Sequence, residues 1–168
     1  TLFLQERRQG EVVDSGGVGD YTSIALDSNG YPHISFYDDV GYALRYAFKD
    51  AAGWHAEMLL DIGFYGAYTS LALDGMDRPH IAFLDGNSYS VRYAAYDGAA
   101  WQFETLAAAG DSGGYCSLVV DGADQPHVSS LVSAGTAIKY AYRSAGPPPL
   151  TRYADLAGTC GGLTPCYA

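Results

Sequence analysis

The heptapeptide Tyr21-Thr22-Ser23-Ile24-Ala25-Leu26-Asp27 returns as Tyr68-Thr69-Ser70-Leu71-Ala72-Leu73-Asp74. It returns again as Tyr115-Cys116-Ser117-Leu118-Val119-Val120-Asp121, 47 residues on each time. A Pro-His step follows every copy (Pro32-His33, Pro79-His80, Pro126-His127), then a basic-Tyr-Ala step at Arg45, Arg92 and Lys139. Fixed-period self-similarity of this kind dictates a repeat architecture, in which one small unit is stacked several times. It also restricts functional inference, because a residue present in every unit is there first to build the unit.

Within a unit the pattern is short apolar alternation broken by turn residues, which predicts strands and no helix. In the first unit the strands fall at about 21–26, 33–37, 42–48 and 54–60. The Asn29-Gly30 pair supplies a hairpin turn, since both residues tolerate positive φ. The second unit repeats all four strands. The third, 115–146, repeats three and then meets Pro147-Pro148-Pro149, which cannot donate to a ladder. Four antiparallel strands every 47 residues, apolar on both faces, predict β-propeller blades that cover one another. Trp54 and Trp101, themselves 47 apart, are expected to pack between blades.

The fold expected is therefore all-β, with three four-stranded antiparallel blades. Residues 1–20 carry an N-terminal strand that completes a blade begun elsewhere, because Glu11-Val12-Val13-Asp14 precedes Tyr21 much as Glu57 to Asp61 precedes Tyr68. Blade 1 is 21–67, blade 2 is 68–114, and blade 3, 115–146, lacks a fourth strand of its own. Residues 147–168 form a Pro-rich link and a Cys-containing tail, either a capping strand with a disulfide loop or a linker. Three blades fall short of the roughly four to eight that close a ring. Two chains could form one ring, chains could donate strands head to tail, or the chain could be a piece of a longer propeller. Self-association through strand exchange is the expectation, giving a homo-oligomer or filament.

Composition excludes some partners. The formal net charge of −10 repels a phosphate backbone, so no nucleic acid is expected. No apolar run approaches the roughly 20 residues of a membrane helix, so no membrane insertion is expected either. No leader is visible ahead of Thr1, which points to a processed product or a fragment. Cys160 and Cys166 flank a Gly- and Pro-containing loop and are expected to form a disulfide, implying an oxidising, extracellular setting.

The repeat resembles a group of bacterial, mostly secreted, propeller repeats that read Tyr-Thr-Ser-Leu-Ala-Leu-Asp-x-x-Gly-x-Pro-His, then basic-Tyr-Ala and Trp. Residues 21–38 with Arg45-Tyr46-Ala47 and Trp54 carry it, as do 68–85 with Arg92-Tyr93-Ala94 and Trp101. The third copy departs, with Val132 at the Asp38/Asp85 position and no tryptophan. The resemblance implies the architecture of sialidase-type and lectin-type propellers and a secreted or cell-surface location. It implies no settled activity.

Candidate chemistry is sparse. A catalytic histidine needs a base or nucleophile within reach, but His33, His80 and His127 recur one per unit and none stands out. Each reads first as a structural residue tying its strand to a neighbour, and second as a ligand contact or part of a ring at the central channel. Asp27, Asp74 and Asp121 read as turn caps; Asp38 and Asp85 read as partners for Arg45 and Arg92. No catalytic residue, metal ligand or cofactor is expected. Tyrosines suit sugar rings, so Tyr21, Tyr68 and Tyr115 with His33, His80 and His127 form the expected ligand-binding set. The function expected is an extracellular binding or assembly module for glycan or protein. The alternative is a fragment of a polysaccharide-acting propeller enzyme, a glycosidase or a lyase.

Overall fold

The computed structural model describes residues 10–61, 66–106, 114–131, 137–143 and, for the backbone alone, Tyr65 and 152–155. All regular structure among them is strand, arranged as three four-stranded antiparallel sheets. The first holds β1 (Val18–Leu26), β2 (Pro32–Asp38), β3 (Ala43–Asp50) and β4 (Gly53–Leu60) in sequence order. The second repeats that order with β5 (Tyr65–Leu73), β6 (Pro79–Asp85), β7 (Ser90–Tyr96) and β8 (Trp101–Thr105). The third runs β9 (Gly114–Val120), β10 (Pro126–Leu131), β11 (Ile138–Tyr142) and β12 (Arg152–Asp155).

The turns form where the sequence put them. Asp27 Oδ1 accepts the N–H groups of Asn29 and Tyr31 at 2.9 and 2.7 Å. Asp74 does the same for Met76 and Arg78, and Asp121 for Ala123 and Gln125. A short acceptor two residues upstream closes the turn and leaves the flanking strands in pairing distance.

The apolar core lies between sheets. Leu44, Tyr46, Leu71, Ile81, Phe83 and Ala94 form one layer between the first and second sheets. Ala82, Val91, Tyr93, Leu118, Val128 and Ala141 form the layer between the second and third. The middle sheet is therefore covered on both faces, and all seven positions of β6 are buried. Its counterparts β2 and β10 alternate with half-buried or exposed positions. A lone sheet with apolar residues on both faces cannot shield them, and stacking is the physical remedy.

One sequence expectation needs correction. The third sheet does have a fourth strand: β12 pairs with β11, with Tyr140 opposite Ala154. The sheet is rejoined at Arg152, beyond the three prolines in sequence. The expected N-terminal strand falls largely on residues 1–9, outside the described residues; residues 10–14 lie against the first sheet and pair in none of this chain's ladders. Strand one also starts earlier than expected, at Val18. Cys160 and Cys166, and so the expected disulfide, lie outside the described residues.

Candidate functional site

The six expected ligand residues separate into two groups. Each tyrosine of the motif sits at an irregularity of a sheet's edge strand, between Asp20 and Ser23 in β1, between Ala67 and Ser70 in β5 and between Gly114 and Ser117 in β9. Tyr21, Tyr68 and Tyr115 have φ of 51°, 54° and 53°. That region is unusual for a bulky residue and is tolerated where a bulge redirects a side chain. The redirected rings meet: Tyr21 and Tyr68 centroids are 4.5 Å apart, Tyr68 and Tyr115 4.4 Å. A shallow hollow of about 290 Å³ lies along this stack. Inter-sheet bonds fix it, since Thr69 Oγ1 donates to the Tyr21 carbonyl at 2.7 Å and Cys116 Sγ to the Tyr68 carbonyl at 2.9 Å. Burial pushes the Cys116 thiol up to about 12, so it acts as a neutral donor.

The histidines do not converge. Each stays in its own sheet and meets a tyrosine thirteen residues on. His33 Nδ1 and the Tyr46 hydroxyl are 2.5 Å apart, as are His127 Nδ1 and the Tyr140 hydroxyl, and His80 bonds Tyr93 likewise. His80 Nε2 faces Asp74 Oδ2 at 3.4 Å and His127 Nε2 faces Asp121 Oδ2 at 3.2 Å. A carboxylate only accepts, so the ring proton belongs on Nε2 and the tyrosine donates to Nδ1. Burial lowers the pKa of His33 and of His80 and raises those of Tyr46 and Tyr93. Burial also opposes ionisation of Asp74, but Arg78, backbone N–H groups and His80 outweigh it and hold that carboxyl at about 2.

Between the first and second sheets opens a cleft of about 380 Å³. His33, Phe48 and Glu57 come from the first sheet, Arg78, Tyr96 and Trp101 from the second. The Trp101 indole N–H donates to Glu57 Oε1 at 3.0 Å, and its ring stands edge-on to Tyr46 at 5.2 Å. A second cleft of about 360 Å³ lies between the second and third sheets. There Glu104 accepts Arg143 Nη2 at 2.8 Å. Glu11 repeats the pattern on the first sheet, accepting Trp54 Nε1 at 2.7 Å and Lys49 Nζ at 2.6 Å.

Glu57 reads in the sequence, with Glu104, as a repeat residue and not as a site residue. It recurs three positions after a tryptophan, which was the available signal, yet its partner is the tryptophan of the next sheet, 44 residues away. Trp101 bridges two sheets as expected, whereas Trp54 meets Glu11 of the leading segment and Lys49 of its own sheet. Asp38 pairs with Arg45 at 3.2 Å, as expected, and Arg45 also takes Asp14 at 3.0 Å. Asp85 accepts the Asn87 N–H and the Ser88 hydroxyl.

No protein-family model matches the chain, and no curated protein matches it in sequence. Solved structures do match. Among them is a fucose lectin from Kordia zhangzhouensis, determined with methyl-fucoside. The TM-score is 0.51 at 15% identity, and the match covers 74% of this chain and 93% of that one. At that identity the likeness is one of fold.

Proposed function

We propose that the chain is a carbohydrate-binding module built on propeller blades, with the cleft between the first and second sheets as a sugar seat. One observation carries the reading: Trp101 lines that cleft with its indole edge tied to Glu57, beside Arg78 and His33. An aromatic plate suits the C–H face of a pyranose, while fixed charged and polar groups suit its hydroxyls. The volume fits one or two sugar rings, at the small end of ligand pockets. The second cleft would make the module multivalent, and linked weak sites gain avidity. A net charge of −10 favours neutral sugars over acidic ones. The fold likeness to a fucose lectin is consistent with this class of ligand.

In the same reading the protein is kin to the bacterial secreted propeller repeats, works outside the cell or at its surface, and uses further sheets to close its ring. The test is calorimetry and affinity retention on a panel of neutral monosaccharides and their polymers, methyl-fucoside included. Wild type is expected to bind at least one of them, and Trp101→Ala to weaken that binding about tenfold or more, near 1.4 kcal/mol. Retention of no sugar by the wild type, or full binding by Trp101→Ala, would refute the seat.

A further inference from the structure

The two interfaces inside the chain use the same residues, and both outer sheets present an unused half of it. On the leading side of a sheet, Leu71 and Leu118 are 6% and 5% exposed because a preceding sheet covers them. The residue at that position in the first sheet, Ile24, is 63% exposed. On the trailing side, Leu44 and Val91 are 0% and 1% exposed beneath a following sheet. Ile138, at that position in the third sheet, is 58% exposed. Tyr46 and Tyr93 are buried under the next sheet, whereas Tyr140 is half-buried.

Polar groups repeat the contrast. Leu71 N donates to Ser23 Oγ at 3.0 Å and Leu118 N to Ser70 Oγ at 2.9 Å across the two interfaces. Ser117 is the next acceptor in that series and is exposed on the trailing side of the third sheet. Thr22, which matches the Thr69 and Cys116 donors, is exposed on the leading side of the first. The cleft is divided in the same way. The first sheet holds Glu11, Lys49 and Trp54 around a hollow of about 470 Å³. The third holds His127, Tyr140 and Tyr142 as a stack with interplanar angles of 13° to 19°. In the closed cleft those two walls are His33, Tyr46 and Phe48 on one side and Tyr96 and Trp101 on the other, with Glu57 between them.

We infer that a second copy of this chain seats its third sheet on the first sheet of the other, and the other way round, closing a six-sheet ring. Ile24 of one copy fills the place beside Ile138 and Tyr140 of its partner that Leu71 fills beside Leu44 and Tyr46. Each such contact completes a cleft to which both copies contribute. Residues 10–14 already take the part of a preceding sheet's outer strand, since Glu11 serves Trp54 as Glu57 serves Trp101. In the ring they run beside the partner's β11, with Glu11 opposite Tyr140 as Glu57 is opposite Tyr46. β12 holds that edge in the single chain and is displaced there. Contacts of this kind join different surfaces, so they close only if the rotation permits, and six sheets lie within the usual range of about four to eight.

That the completed clefts hold sugar rests on the function proposed above; the contact between copies does not, and its test uses no ligand. Light scattering on the full chain is expected to give twice the 17.9 kDa of one copy. Ile24→Arg and Ile138→Arg should each give 17.9 kDa with strand content unchanged by circular dichroism. An equal mixture of the two should regain the double mass, because one intact contact remains between them. Leu26→Arg and Ser117→Arg serve in their place should either first variant fail to fold. A single-copy wild type at every concentration, a mass that keeps growing with concentration, or variants that retain the double mass would overturn the ring. Failure of sugar binding with the double mass intact would strike the proposed function alone.

Discussion

At the scale of single residues, the histidine-tyrosine pairs decide how the protein answers to acid. His33 and His80 are held neutral by burial, against an ordinary value of about 6.5. The unfolded chain then holds more protons than the folded one just below about pH 6.5, and protonation favours unfolding. Their contribution is complete above that pH and is lost as the pH falls. Asp74 adds a second loss, since its folded carboxyl stays ionised down to about 2 while an unfolded one takes its proton near 3.9. The urea midpoint is expected to hold steady from about pH 8 to 7, drop between roughly 6.5 and 5, and drop again below about 4. His80→Gln should shrink the first step. A flat midpoint from about pH 7.5 to 5 would contradict the assignment.

At the scale of elements, the turns of neighbouring sheets are bonded to one another. Asp77 has φ of 59° and accepts the Ser28 N–H at 2.9 Å and the Ser28 hydroxyl at 2.6 Å. Asp124, at φ of 58°, takes the Gly75 N–H at 2.7 Å. A left-handed aspartate is justified by the bonds it makes, whereas Gly30 fills that place in the first turn with φ of 82°. Asp77→Ala loses both bonds and keeps the strain, so it is expected to cost about 1–3 kcal/mol in chemical denaturation. Asp77→Gly recovers roughly 1 kcal/mol of that. An alanine variant as stable as the glycine one would refute this account.

Asp77 also marks where sequence reading stopped. Its turn was legible, because Asp-Gly-Met-Asp signals its own local geometry. Its bond to Ser28, 49 residues back, was not, since no local pattern encodes which loop lies alongside. The same division holds elsewhere. Strands β2, β6 and β10 were readable from Pro-His and alternation, and the aspartate caps from turn chemistry. β12 was open between a capping strand and a linker, because Arg152–Asp155 shares no residue pattern with β4 or β8 and follows three prolines. The tyrosine bulges ran against backbone preference; the only hint was a glycine two places ahead, Gly19 and Gly66, with φ of 115° and 100°. For the candidate site, the aromatic content was visible, but its division into a central tyrosine stack and inter-sheet clefts required the stacking of whole sheets.

At the scale of the molecule, cohesion comes from sheets covering sheets, and it is unequal along the chain. The middle sheet has a neighbour on either side, and β6 is buried at all seven positions. To release it, both core layers must come apart, whereas the first and third sheets each shed one. In Ile24→Arg, which is held to one copy, amide protons in β6 are therefore expected to trade with heavy water last, at the rate of global opening, while those of β1 and β12 go early. Mass spectrometry of timed peptides would read that order directly. β6 trading as fast as β1 would mean that the three sheets let go together. Under heat or protease, then, damage to a single copy starts at its two flanks and works inward, and the central hairpin of β6 and β7 is the fragment that outlasts the rest.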